Sequence, residues 1–440
     1  MALIKTINFK NVMTFTLPTI IMMVFMSVYQ MVDAVFITNI IGTNALSAVN
    51  IVFPVISFLI GVSIMLGTGG SAIIAKNLGE DKPEKARRQF TLIIFTGIII
   101  GVVTAVLGTA FIDPIVRVLG STDIIYQYCV DYLFILCAAA PFAVLQMLFS
   151  CFFPAAGKPR LGLIIVSAGG IANIILDYFF MAVLDIGIKG AAIATAIGYA
   201  IPAVFGMFYF ALNKSSLLYF KRPELDFKML LFTCANGSSE MVTNLANGVT
   251  TFLFNFVMMK FLGEDGVAAI TVALYAQFLL SAVFMGYSNG IAPVISFNYG
   301  SQNLPGLKKL IKISLLFILT NSIIWFTLSM LLKLPIIGIF AEYGGNVWQI
   351  TNNGWHLFAL NFLIAGFNIF ASSMFTALSD GRTSALISFL RTFGFLAAAI
   401  ILLPKLIGIK GIWLSVTAAE AATLLVSVIC FIKGKKLYKY

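Results

Sequence analysis

The pentapeptide IGIKG stands at Ile186–Gly190 and again at Ile407–Gly411, 221 residues apart in a chain of 440. A repeat at half the chain length is the signature of a duplicated fold. The same shift carries Gly42 onto Gly263, Ala48 onto Ala269, Gly79 onto Gly300, and the basic pair Arg87-Arg88 onto Lys308-Lys309. The chain therefore reads as a tandem duplication, with IGIKG as a tight turn late in each half.

Composition says what each half is made of. Hydrophobic residues make up 60% of the chain and charged residues only 10%, against roughly 25% charged in soluble domains; the mean hydropathy is +1.02. Between short charged stretches lie apolar runs of about 20 to 30 residues, enough to cross a hydrocarbon core as helices. Twelve runs are expected, from 12–39 to 411–433, six in each half. They are continuously apolar rather than alternating, which excludes a transmembrane barrel. The expected fold is an all-α integral membrane protein of two pseudo-symmetric six-helix bundles. Because six is even, the halves are parallel repeats about an axis along the membrane normal. The division expected is an amino-terminal lobe 1–212, a cytoplasmic linker 213–227 containing NKSSLLYFKRPELD, and a carboxy-terminal lobe 228–440.

The 28 Lys and Arg against 17 Asp and Glu could suggest a nucleic-acid partner, but their distribution argues for membrane orientation. If the amino terminus is cytoplasmic, all cations but Arg117, Lys189, Lys260, Lys333, Lys405 and Lys410 fall on the inner side, as the positive-inside rule requires. Both termini are then expected to be cytoplasmic, in a cell inner (cytoplasmic) membrane, with no cleavable signal peptide and no nucleic-acid partner. The five cysteines, without CxxC spacing, read as buried small hydrophobes. No zincin, P-loop or nucleophile-elbow motif is present, so no enzyme is expected.

Four acids lie inside apolar runs: Asp33, Asp177, Glu240 and Glu420. An intramembrane carboxylate costs at least ~2.5–3.5 kcal/mol on insertion scales and is a functional hypothesis by default. Asp33 lies far along the first helix, Asp177 near the outer end of the fifth, and Thr195 about two turns into the sixth, so the three reach a similar depth. Asn173 precedes Asp177 by four residues and shares its helix face. These groups offer two carboxylates, an amide carbonyl and a hydroxyl, oxygen donors suited to a proton or a hard monovalent cation. Two carboxylates held close cannot both ionise cheaply, so such a pair would take up a proton near neutrality. The bland reading has Asp33 and Asp177 reaching to the outer surface from helix ends. Glu240 is expected near the midplane of the second half as a substrate-cavity acid. The 221-residue shift sets Thr19 opposite Glu240, Phe254 opposite Asp33 and Ala398 opposite Asp177, so the acids are not duplicated. Glu420 and Arg391 read as a structural ion pair, His356 as interfacial, and Pro18 as a kink in the first helix, either static or functional.

The six-plus-six layout, Pro18 and Asp33 on the first helix, NIILD at Asn173–Asp177 on the fifth, Thr195 on the sixth and Glu240 on the seventh resemble the multidrug and toxic compound extrusion transporters, and most of all their bacterial multidrug-exporter branch. The resemblance runs over the whole chain. It implies a proton or sodium site in the first lobe at Asp33, Asn173, Asp177 and Thr195, and bending of the first helix at Pro18. Some family members use an acid on the tenth helix; the matching stretch here, NFLIAGFNIFASSMF, has none, so a second-lobe cation site would depend on Glu240. The function expected is cation-coupled antiport exporting amphipathic, cationic organic compounds by alternating access. The protein would be monomeric and, beyond its coupling H+ or Na+, would need no cofactor or metal. The alternatives are a lipid-linked oligosaccharide flippase of the same superfamily, a membrane scaffold, and an intramembrane enzyme. A flippase cavity would be lined by cations, whereas the intramembrane charges here are mostly acidic.

Overall fold

The computed structural model describes residues 3, 4 and 6–440, and its regular structure is helical throughout these residues. Ten helical stretches are long and apolar enough to cross a membrane, and the bent pair Tyr126–Ala138 and Ala140–Ala155 makes an eleventh. The twelfth is hidden in the 74-residue stretch Phe227–Gly300, which leaves helical geometry at Gly263 (φ 63°, ψ −153°). At about 1.5 Å per residue that stretch could not fit one crossing. Phe254 and Met258 before the glycine pack in one cluster with Ala269 and Ile270 after it, so the chain doubles back there.

In chain order the crossings are helix 1 (Phe9–Phe36, extended by a π-turn Ile37–Ile41), helix 2 (Thr43–Gly79), helix 3 (Pro83–Ala110), helix 4 (the bent pair), helix 5 (Pro159–Tyr178, with a π-turn Phe179–Val183) and helix 6 (Ile188–Leu212). Helices 7 and 8 are the arms of Phe227–Gly300 on either side of Gly263. Helix 9 is Leu304–Leu331, helix 10 runs from Asn346 to Ala377, helix 11 from Gly381 to Ile407 and helix 12 from Ile409 to Tyr438.

The repeat is visible in backbone detail. The two IGIKG turns pivot on Gly187 (φ 65°, ψ −144°) and Gly408 (φ 63°, ψ −144°), a region where only glycine is comfortable. In each the last glycine donates to the carbonyl of the first at 2.9 Å. Helix 4 bends at Ala139, and helix 10 breaks at its counterpart Leu360 into a 3-10 turn, Leu360–Leu363. Short helices Ile112–Val118 and Lys333–Phe340 occupy matching places before helices 4 and 10.

The two bundles meet most closely at the end that carries both termini. There a side chain on Gly79 would run into the Phe297 carbonyl and one on Gly300 into that of Lys76, while deeper in, Gly69 and Gly237 bring helices 2 and 7 into backbone contact. Helix 1 meets helix 8 through Gly286, whose added Cβ would lie 2.6 Å from the Cα of Ile20. Nothing approaches Gly42 or Gly263, at the far end, within 4 Å of such a Cβ. The linker is strapped to the first bundle: Arg87 Nε donates to the Leu217 carbonyl at 3.1 Å, the Lys221 amide donates to Thr91 Oγ1 at 3.0 Å, and the Phe220 ring stacks on Phe90 at 5.4 Å. The crossing to the second bundle is thereby confined to residues 222–226.

Candidate functional site in the first bundle

Glycine contacts between helices set the register of the site. Helices 5 and 6 run antiparallel and touch through Gly169 and Gly198; a Cβ on Gly198 would lie 3.0 Å from that of Asn173. From this point Asp177 is one turn onward on helix 5 and Thr195 one turn back on helix 6, so antiparallel packing sets them at one level. Helix 1 packs on the other side of helix 5, where Gly170 leaves room for Phe25 and Tyr29. One turn beyond Tyr29, Asp33 brings its carboxyl against that of Asp177.

The structure thus places Asp33, Asn173, Asp177 and Thr195 together. Asp177 is 0% exposed, Asn173 2% and Thr195 8%. Oδ1 of Asp33, both carboxyl oxygens of Asp177, both side-chain atoms of Asn173 and the Thr195 hydroxyl are buried without a hydrogen-bond partner in the protein. Buried polar groups are ordinarily satisfied, because an unmade bond costs about 1–3 kcal/mol. Complete burial of Asp177 removes the reading in which it reaches to the surface. Among the described residues neither aspartate forms an ion pair.

Sequence reasoning missed the aromatic wall of this site. Tyr132, from helix 4, is 4% exposed and sets its hydroxyl beside Thr195, facing both aspartates. Tyr199 of helix 6 and Tyr29 of helix 1 close the side towards Asp33. Tyr29 carried a usable signal, since its four-residue spacing from Asp33 fixes a common face. Tyr132, a lone tyrosine in an apolar run, carried none. Pro18 lies well below the site, and helix 1 is continuous through it.

The second bundle holds charge differently. Arg391 and Glu420 form the ion pair expected, with Nε 2.8 Å from Oε1, and Asn368 donates to the other oxygen of Glu420 at 2.7 Å. Glu240 is half-buried on helix 7. Its neighbour Met241 meets Gly61 of helix 2, so Glu240 stands at the junction of the bundles. Its repeat counterpart Thr19 is buried with its hydroxyl unpartnered. His356 is exposed, while Trp355 beside it is buried and donates to the Ser329 carbonyl at 3.0 Å.

Comparison with known proteins accords with this architecture. The sequence profile of the MatE family matches twice, at residues 18–179 and 241–401. The multidrug export protein MepA of Staphylococcus saprophyticus is 24% identical over 420 residues, covering 94% of this chain and 92% of that protein. MepA of Staphylococcus haemolyticus is 25% identical over 422 residues, covering 94% and 90%. The fold superposes on an outward-facing multidrug resistance MATE family transporter of the MOP superfamily with a TM-score of 0.91, at 20% identity over 98% of this chain and 96% of that one. A MOP superfamily transporter from Pyrococcus furiosus gives 0.89 at 20% identity, over 97% and 95%. With two family matches spanning most of its length, one in each bundle, the chain belongs to the MatE family: it is a multi-pass membrane transport protein and not an enzyme.

Proposed function

We propose that the protein is a multidrug exporter in which a proton or sodium ion, held by Asp33, Asn173, Asp177 and Thr195, drives amphipathic organic cations out of the cell. One observation carries the coupling: two carboxyls face each other inside the first bundle with no cation among the described residues between them. Such a pair is stable only with a cation or proton in it, since like charges at close range in a dry site repel strongly. The unpartnered amide and hydroxyl beside it supply further oxygen ligands. The export function is that of the MepA relatives, and the acidic excess inside the bundles suits cationic cargo.

The two-lobed architecture supports transport by alternating access. The lobes 1–212 and 228–440, joined by the linker 213–227, close on each other at the terminus-bearing end through glycine contacts, and nothing packs on the turn glycines Gly42 and Gly263 at the other. With the termini cytoplasmic, as the positive-inside distribution requires, this is the state open to the outside. In that state the coupling site lies in the half of the first lobe nearer the opening. Ion binding there and cargo binding near Glu240 would each favour one of the two states, and the protein works as a monomer in the cell membrane.

The test is transport by purified protein in liposomes under an imposed proton or sodium gradient. Uptake of an organic cation should follow one gradient and vanish without it; uptake indifferent to both gradients would end the coupling assignment. Thr195→Ala keeps both charges and removes one oxygen. It should therefore injure sodium-driven export and spare proton-driven export.

A further inference from the structure

The second bundle contains three charged side chains in its interior, and only two of them cancel. Glu420 is immobilised: Asn368 Nδ2 donates to its Oε2 at 2.7 Å and to its backbone carbonyl at 2.9 Å, and Ser427 Oγ donates to Asn368 Oδ1 at 2.9 Å. Arg391 is held less fully. Its Nε donates to Glu420 Oε1 at 2.8 Å, but a guanidinium has five N–H groups, and among the described residues the other four find no protein acceptor. Its side chain is 14% exposed against 4% for Glu420. The residue also sits in the π-turn Leu390–Gly394 of helix 11, a distortion that aims a side chain out of helical register and gathers at functional sites.

That turn packs on the stretch Phe227–Gly300 that forms helices 7 and 8. Helices 7 and 11 touch at Gly381 and Asn236, and from there both run the same way, towards Glu240 and Arg391. The guanidinium is the charged group whose field reaches Glu240, and Glu240 has no side-chain hydrogen-bond partner among the described residues. Beyond Glu240, at the junction of the bundles, lies Cys151 of the first bundle. With all three ionised, two acids and one guanidinium leave the interior of the second bundle with a single net negative charge, which falls on Glu240.

We propose that Arg391 is a specificity-determining residue: by cancelling Glu420 it limits the second lobe to one uncompensated charge, so that singly charged organic cations are held in preference to doubly charged ones. The inference rests on the reading above that Glu240 meets exported cargo. Removing the guanidinium leaves two acids, and the second charge of a dication then finds a partner. Arg391 acts on cargo through the sum of charge at the site and need not touch it.

The experiment is equilibrium binding to the full-length protein in nanodiscs, without any gradient, using tetraphenylphosphonium and an alkane-linked bis(triphenylphosphonium). Wild type should bind the monocation more tightly; tighter binding of the dication by wild type overturns the proposal without any variant. Arg391→Met should move the ratio towards the dication by about tenfold, the scale of one modest electrostatic contact. Arg391→Lys, which keeps the charge and loses the fork, should hold the wild-type ratio. The double variant Arg391→Met with Glu420→Gln removes the pair together and should also hold it. Glu420→Gln reads the same balance from the other side and moves the ratio towards the monocation, which keeps the test available if Arg391→Met does not fold. Equal weakening for both probes in Arg391→Met, or failure of Arg391→Lys to hold the ratio, marks Arg391 as purely structural and overturns the inference alone. If neither probe binds wild type, the reading of Glu240 falls and takes this inference with it.

Discussion

The two bundles share a backbone down to the dihedral angles of their IGIKG turns, yet they treat buried acids in opposite ways. In the first, Asp33 and Asp177 face each other, and Oδ1 of Asp33 and both carboxyl oxygens of Asp177 are buried without a partner among the described residues. In the second, Glu420 has a guanidinium and an amide, whereas the Glu240 carboxyl has no partner among the described residues. A carboxylate that the protein satisfies for itself is part of the structure. One that it leaves unsatisfied awaits something from outside, and the cost of waiting appears as lost stability.

That contrast gives the largest expected effect. Asp33→Asn or Asp177→Asn should reduce gradient-driven export to the level of empty liposomes while leaving thermal stability equal or higher, by as much as ~2.5–3.5 kcal/mol for relief of a membrane carboxylate. Glu420→Gln makes the same chemical change but leaves Arg391 buried and unmatched, which should cost about 3–5 kcal/mol. Thermal unfolding of the three variants in one detergent checks the pair of signs. If all three move stability in the same direction, the division into a structural and a waiting acid is wrong.

Much of this was legible in the chain. The repeat, the helix count and the pairing of Arg391 with Glu420 followed from spacing and from the cost of charge in hydrocarbon. Asp33, Asn173, Asp177 and Thr195 were brought together by depth alone, because residues at one level on neighbouring helices are natural contacts. Helix adjacency was not legible. Nothing in the local sequence says that the bend at Ala139 turns Tyr132 towards Thr195, or that helix 11 lies on helix 7. Those facts depend on packing between segments far apart in sequence, where close approach is set by pairs such as Gly381 and Asn236 that no local pattern marks. Pro18 lies inside helix 1, which stays helical through it.

A second, smaller effect tests why only one bundle houses the aspartate pair. Gly198 lets helix 6 lie directly on Asn173, whereas the corresponding residue of the second bundle is Ala419, buried on helix 12. Gly198→Ala copies that bundle into the first. Its new methyl would lie 3.0 Å from the Asn173 Cβ and 3.2 Å from the Gly169 carbonyl, so the helices must part by a few tenths of an ångström. Overpacking of this kind costs roughly 1–3 kcal/mol. Ion-driven export should fall further than cargo binding in nanodiscs, because Thr195 and Asn173 separate while Glu240 stays in place; equal losses would mean that the methyl disturbs the fold as a whole.

The smallest effect concerns the end where the bundles meet. Backbone contact there is symmetric, with Gly79 against Phe297 and Gly300 against Lys76, but the side chains are not. Lys76 lies over the ring of Tyr299 at 5.3 Å. Tyr299 packs edge-on against Tyr438 at 5.8 Å, and the Tyr438 hydroxyl donates to Asp380 Oδ2 at 2.9 Å. The repeat counterparts of Lys76 and Tyr299 are Phe297 and Leu78, so no second cation–aromatic contact mirrors the first. One lysine of the first lobe therefore grips an aromatic column of the second, and opening at this end must break that grip. Tyr299→Leu copies the first-lobe residue, keeps apolar bulk and removes the ring. A cation–π contact near the surface is worth about 0.5–1 kcal/mol, so the equilibrium should move roughly two- to fivefold towards the state open on the terminus side. Spin labels on helices 2 and 8 near this end would report it as a gain in the longer of two distance populations. Lys76→Gln should give the same shift, and the double variant should add little to either, since both changes break one contact. Additive shifts would locate the hold in the glycine-mediated backbone contact instead, and the two lobes would then be latched symmetrically.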